Sequence, residues 1–232
     1  AFAGINRGFD LPGSSEGTDP EKRINYEVGS RINQNQFSAQ GVIYFNDYSN
    51  LLGSDLAASG GTGTGDQFNA GAAAVYGIEA EAAYVLVPVG MPSFTVPVSL
   101  AYTYTYGEFN SSFAASNEDW GTVQNGDQFP YLSNHQLTIN AGIDHRLFSV
   151  NLSTKYLSEM RTSPGQGEIP TNEKIGSSFI VDVSANFKLN RFLTIFGSVN
   201  NLSDETYLVA RRPSGLRPGL PRSFLFGLKM NL

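Results

Sequence analysis

The most constraining feature of this chain is a strict alternation of apolar and polar residues, repeated in segments about 9–14 residues long. In "TVPVSLAYTYTYGEF", Val96, Val98, Leu100, Tyr102, Tyr104 and Tyr106 share one parity, while Thr95, Ser99, Ala101, Thr103 and Thr105 share the other. "VYGIEAEAAYV", "NHQLTINAGIDH" and "SSFIVDVSANFKL" repeat the pattern, and "RSFLFGLKMNL" carries it to the last residue, with Leu225 the one exception. A period of two places alternate side chains on opposite faces of a strand. Soluble strands average about 5–6 residues, whereas a tilted membrane strand needs about 9–11. The lengths favour a bilayer over a soluble β-sandwich. They predict that even-numbered residues of 96–106 face lipid, while Thr103 and Thr105 face the lumen.

Composition narrows the class further. Charged residues make up 16% of the 232 and hydrophobic residues 41%. The chain is less charged than a typical soluble protein, at about 25%, and no apolar run is long enough for a membrane-spanning helix. A net charge of -6 argues against nucleic acid as a partner. Cysteine is absent, and no signal peptide opens the chain, which reads as a mature form or a fragment. Aromatic residues collect towards strand ends (Phe45, Tyr48, Tyr104, Tyr106, Tyr156, Phe187), as in the girdles of outer-membrane barrels.

Connections alternate short and long. Short ones lie near 33–36, 88–93, 145–148 and 189–192; long ones lie near 8–21, 50–74, 108–131, 159–176 and 208–221. Outer-membrane barrels have short periplasmic turns and long extracellular loops, so the reading is an all-β, antiparallel transmembrane barrel segment of about ten strands. The last long loop is then extracellular.

Several segments are similar to one family. "DPEKRINYEVGSR" with "FSAQGVIYFNDYSNLL", "EDWGTVQNGDQFPYLSNHQL" and "VNNLSDETYLVARRPSGLRPGLPRSFLFGLKMNL" resemble TonB-dependent outer-membrane receptors, the last most like the ferric-citrate branch. The resemblance implies a 22-stranded barrel holding an N-terminal plug. It also implies import of a ferric chelate and energy supplied through TonB. About ten strands cannot make that barrel, so residues 1–232 read as its C-terminal portion, with the plug and its TonB-coupling motif absent. The ending resembles the signal read by the barrel-assembly machinery: Gly227, then Met230, then an apolar final residue, Leu232 where the family usually has Phe. The alternative is a self-contained small barrel with a pore, adhesion or structural role.

Candidate site residues follow from chemistry. Arg211, Arg212 and Arg217 crowd the last long loop, which Pro213, Pro218 and Pro221 stiffen. Guanidinium groups bind carboxylates in bidentate fashion, so they are candidates for an anionic chelate, with loop packing or contact with lipopolysaccharide as the alternative. Gln67 and Asn69 could hydrogen-bond an oxygen-rich ligand or stand in a solvated tip. Asn117, Glu118, Asp119 and Asp127 offer oxygen donors without EF-hand spacing, so a solvated acidic loop is the better reading. Glu79, Glu81, Lys155, Asp182 and Lys188 read as a polar lumen wall. His135 and His145 lack a nucleophile and metal-ligand spacing, so neither an enzyme, a metal centre nor a cofactor is expected.

Overall fold

The structure is a computed structural model and describes residues 1–13, 18–54, 67–114, 121–211 and 215–230. Its frame is one ten-stranded antiparallel sheet whose spatial order follows the chain. The strands are β1 (Phe2–Asp10), β2 (Glu21–Gln34), β3 (Phe37–Ser49), β4 (Ala73–Leu86), β5 (Phe94–Phe109), β6 (His135–His145), β7 (Phe148–Leu157), β8 (Ser178–Lys188), β9 (Leu193–Asn200) and β10 (Ser223–Met230). β1 and β10 are its two edges. Among the described residues the other sheets are two-stranded, so the frame is a single sheet rather than a sandwich.

Register converts the sequence alternation into two faces. Tyr26, Phe45, Tyr76 and Tyr106 fall in one cross-strand row. Their ring centroids are 6.2, 6.3 and 5.3 Å apart in succession. The row continues through Tyr104, 5.1 Å from His135. Towards the short turns a second belt forms, with His145 stacked 4.6 Å from Phe94 and Phe148 paired with Phe187. Phe45 and Phe37 are eight residues apart, and Tyr106 and Phe94 twelve. At about 3.3 Å per residue and about 40° of tilt, the belts lie roughly 20–30 Å apart along the membrane normal. Between them the face is apolar and open: Ile43 is 57% exposed and Phe226 77%. That surface is what a bilayer covers.

The opposite face carries polar ladders. Arg31 Nε donates to Gln40 at 3.1 Å, and Gln40 Nε2 donates to Glu81 at 2.9 Å. Asn25 donates to Asn46, Asn140 to Ser99 and Asn186 to Ser149, at 2.8 to 3.2 Å. Glu79, Glu81, Lys155, Asp182 and Lys188 all hold this face in the pairing register. So does Tyr48, which the sequence pattern had grouped with the lipid-facing aromatics; it stands opposite Arg23 and packs against the loop core.

Fully buried apolar side chains cluster at the outer strand ends and in the loops beyond them. Ala70, Ala73, Phe109 and Val123 form the core, and Tyr48, Leu51, Phe68, Phe113 and Phe129 pack on it. The protein's own apolar core therefore lies among the extracellular loops, because lipid does the covering lower down.

Close strand approach depends on glycines facing aromatic rings. Phe196 stands opposite Gly227, and Gly197 opposite Phe226, on the two faces of the β9–β10 pair. A Cβ at Gly227 would meet Phe196 Cζ at 2.3 Å. The Phe196 ring thus lies flat on the inner wall, where a side chain at 227 would lift it into the lumen. We expect Gly227→Ala to cost about 1–3 kcal/mol, the range for overpacking. In a Phe196→Ala background it should cost much less. Denaturant unfolding of the intact barrel in a double-mutant cycle measures this, and additive effects would show that the ring does not depend on the glycine.

Candidate ligand-capturing loops

Five outer loops join the strands at the end opposite the short turns: 11–20, 50–72, 110–134, 158–177 and 201–222. The fifth begins seven residues earlier than the pattern suggests. Asn201 and Asp204 have φ of 52° and 57°, and this left-handed backbone ends β9 before "LSDETY".

Hydrogen bonds link each loop to the next. The Gly13 N–H donates to Gln67 Oε1, and Asn69 both accepts from the Asp19 N–H at 2.8 Å and donates to its carbonyl at 3.0 Å. These bonds fasten the first loop to the second. The Leu52 N–H donates to the buried Glu21 carboxylate at 2.9 Å. Second meets third where the Ala72 N–H donates to Ser111 Oγ at 2.9 Å. Third meets fourth through the Gln128 N–H to the Gly165 carbonyl at 2.9 Å and the Tyr131 N–H to the Arg161 carbonyl at 2.8 Å. Gln166 adds bonds to the Asn125 carbonyl and to Asp127 Oδ1 at 3.1 and 3.2 Å. Fourth meets fifth through Arg211 Nε, which donates to the Lys174 carbonyl at 2.6 Å.

This redistributes the candidate roles. Gln67 and Asn69 are loop fasteners. Arg211 is half-buried and docks the fifth loop on the fourth. Arg217 sits at the turn end of a short hairpin, opposite Ala210. Arg212 lies outside the described residues, as do Asn117, Glu118, Asp119 and Leu232. Asp127, the described member of that oxygen-donor set, is engaged within the protein, accepting from the Gln124 N–H of its own loop at 2.8 Å and from Gln166 of the fourth. Gln67 and the arginines are about six strand spacings apart, roughly 29 Å along the sheet, so one small ligand does not touch both unless the barrel curves them together.

Two residues escaped the sequence reading. Arg161 is 4% exposed, and its Nε has no hydrogen-bond partner, while Nη2 donates to the Gly167 carbonyl at 3.0 Å. Burial holds its guanidinium below the ordinary arginine value, partly offset by Asp127, Tyr106 and Glu173. Nothing in "EMRTSPG" separates it from a solvated arginine. Asn201 is the second. Its N–H donates to Asp182 Oδ1 at 2.8 Å, its side-chain amide donates to the carbonyls of Glu205 and Leu220 at 2.9 and 3.1 Å, and its Oδ1 accepts from the Glu205 N–H at 2.9 Å. The side chain thereby ties both feet of the fifth loop together, and the backbone N–H fixes them to Asp182 on the barrel wall. The Arg222–Asp204 pair, at 3.1 Å and exposed, adds little.

A lipid-facing apolar band between aromatic belts, a polar inner face and a chain of interlocked outer loops define an outer-membrane β-barrel of the receptor type. Residues 1–202 match the model of the TonB dependent receptor-like beta-barrel family, and the chain belongs to that family. Its place is accordingly the bacterial outer membrane. Among solved structures it is similar to the ferric-catecholate import receptor Fiu of E. coli K12, with 21% identity, 96% of this chain and 30% of that chain covered, and a TM-score of 0.67. It is also similar to the iron transporter FrpB of Neisseria meningitidis, with 18% identity, 98% and 36% covered, and a TM-score of 0.68. A third is the ferric yersiniabactin uptake receptor FyuA of Yersinia pestis, with 17% identity, 97% and 34% covered, and a TM-score of 0.65. The chain thus spans about a third of the length of these structures. No curated protein sequence matches it.

The clamp gives a direct test. Asn201→Ala leaves buried donors and acceptors unmatched and puts alanine at positive φ, a local loss of about 2–4 kcal/mol. Hydrogen exchange should quicken across 201–222 and stay unchanged in β6 and β7. Unaltered exchange in 201–222 would show that Asn201 does not hold the loop.

Proposed function

We propose that this chain is the C-terminal barrel portion of an outer-membrane receptor that imports a ferric chelate, with ferric citrate the first candidate. Energy comes from TonB acting on a plug that lies outside this sequence. The observation that carries the reading is the continuous chain of loop-to-loop hydrogen bonds above a polar inner wall, from Gly13–Gln67 to Arg211–Lys174. Such a rampart holds ligand-contacting side chains in place, which lowers the entropy lost on capture. The similar proteins named for ferric catecholate, iron and ferric yersiniabactin support a metal-chelate cargo. The self-contained small barrel is the weaker reading, because among the described residues β1 and β10 are separate edges of the sheet.

In this reading the fifth loop supplies the anion-attracting cations. Arg211 sets the loop's position, and Arg212 and Arg217 meet the chelate's carboxylates. The last strand is the part offered to the barrel-assembly machinery, and the outer rim meets lipopolysaccharide. A charge-assisted hydrogen bond contributes about 1.5–3 kcal/mol, so Arg212→Gln and Arg217→Gln in the intact receptor should each weaken ferric-citrate binding by roughly ten- to a hundredfold. The attraction should fade as salt rises. Calorimetric titration at low and high salt measures both effects. Wild-type affinity in both variants would remove the arginines from the ligand site, and no binding by the wild-type receptor would remove ferric citrate.

A further inference from the structure

Charge at the short-turn end is unevenly placed. The turns at 35–36 and 87–93 carry none, whereas those at 146–147 and 189–192 present Arg146 and Arg191, both exposed. These two turns are joined, since the Lys188 N–H donates to the Leu147 carbonyl at 2.7 Å. Asn190 Oδ1 accepts from the N–H groups of Phe192 and Leu193 at 2.8 and 3.0 Å, which closes the second turn with Arg191 at its tip. The Arg191 guanidinium carbon lies 4.4 Å from the centre of the Phe192 ring, itself 51% exposed. Lys188 and Lys229 stand either side of Thr194 on the inner face, with Asp144 the acid on the neighbouring stretch. The rim under β6–β10 is therefore net positive.

Immediately above it, on the lipid-facing side, runs an apolar groove of about 510 Å³. Its floor is the cross-strand pair Ala185 and Gly197, and the rings of Phe148, Phe187 and Phe226 wall it. Small residues flanked by rings leave a slot in this part of the lipid-facing surface.

We propose that the groove and the two arginine turns together form a site for one anionic phospholipid of the periplasmic leaflet. An acyl chain lies over Ala185 and Gly197, and the phosphodiester accepts hydrogen bonds from Arg146 and Arg191. Guanidinium groups match phosphate geometry, and their position at the aromatic belt is the depth of the headgroups. Charge complementarity selects phosphatidylglycerol over phosphatidylethanolamine, whose ammonium group would meet the same cations. The site does not depend on which chelate is imported.

The test uses the intact receptor carrying this chain, in mixed micelles titrated with dioleoylphosphatidylglycerol or dioleoylphosphatidylethanolamine and read by native mass spectrometry. Each basic residue near an anionic headgroup is worth a factor of about five, so wild type should prefer phosphatidylglycerol at least tenfold, and Arg146→Gln with Arg191→Gln should weaken it roughly thirtyfold. Ala185→Leu should lower retention of both lipids by filling the slot. Arg222→Gln, at the opposite end, should retain the wild-type preference. The proposal is overturned by a wild type without preference, by a double variant that keeps it, by undiminished retention in Ala185→Leu, or by an equal loss in Arg222→Gln.

Discussion

Backbone hydrogen bonding between neighbouring antiparallel strands is the constraint on which the rest of this structure depends. Inside a bilayer no water satisfies a peptide group, so each strand must be paired along the stretch that crosses. The register runs without a break over thirteen residue pairs of β2 and β3, and over fourteen of β4 and β5. Once that register is set, parity leaves no freedom: a one-residue slip would bring Glu79 and Glu81 to lipid and Ile78 to the lumen. The aromatic row from Tyr26 to Tyr106 and the ladder from Arg31 to Glu81 are two consequences of one pairing.

The same constraint explains where the protein has a core of its own. Between the belts, lipid covers one face, and the inner face is polar, so little protein-on-protein apolar packing is required. Above the membrane neither cover exists. There Phe109, Val123 and Ala70 are buried by the loops themselves, and polar clasps such as Asn69–Asp19 and Asn201–Asp182 hold those loops to one another and to the wall. The outer half is thus a folded layer in its own right.

Strand identity and facing were legible in the sequence because period-two alternation is a local signal. The positions of Val96 to Tyr106, His135 and Asp182 follow from it directly. Tyr48 shows its limit: near a strand end an aromatic ring suits either the girdle or the loop core, and only register decides. The candidate site was less legible, because its residues act through neighbours distant in the chain. Gln67 pairs with Gly13, Arg211 with Lys174, and Asn201 with both Asp182 and Leu220. Residue type suggested ligand chemistry at Gln67 and Arg211, whereas their bonds to neighbouring loops are tertiary contacts that residue type does not show. Arg161 was invisible for the same reason, since its burial comes from the third loop folding over the fourth.

The central claim is that one face of this sheet meets lipid and the other does not. A nitroxide scan of residues 95–106 in β5, in the intact receptor reconstituted into bilayers, tests it most directly. Oxygen accessibility should rise and fall with a period of two, high at Val96, Val98, Leu100, Tyr102, Tyr104 and Tyr106 and low at Ser99, Ala101, Thr103 and Thr105. Accessibility without that period, or equal exposure of both parities to a water-soluble relaxing agent, would contradict the membrane-spanning sheet.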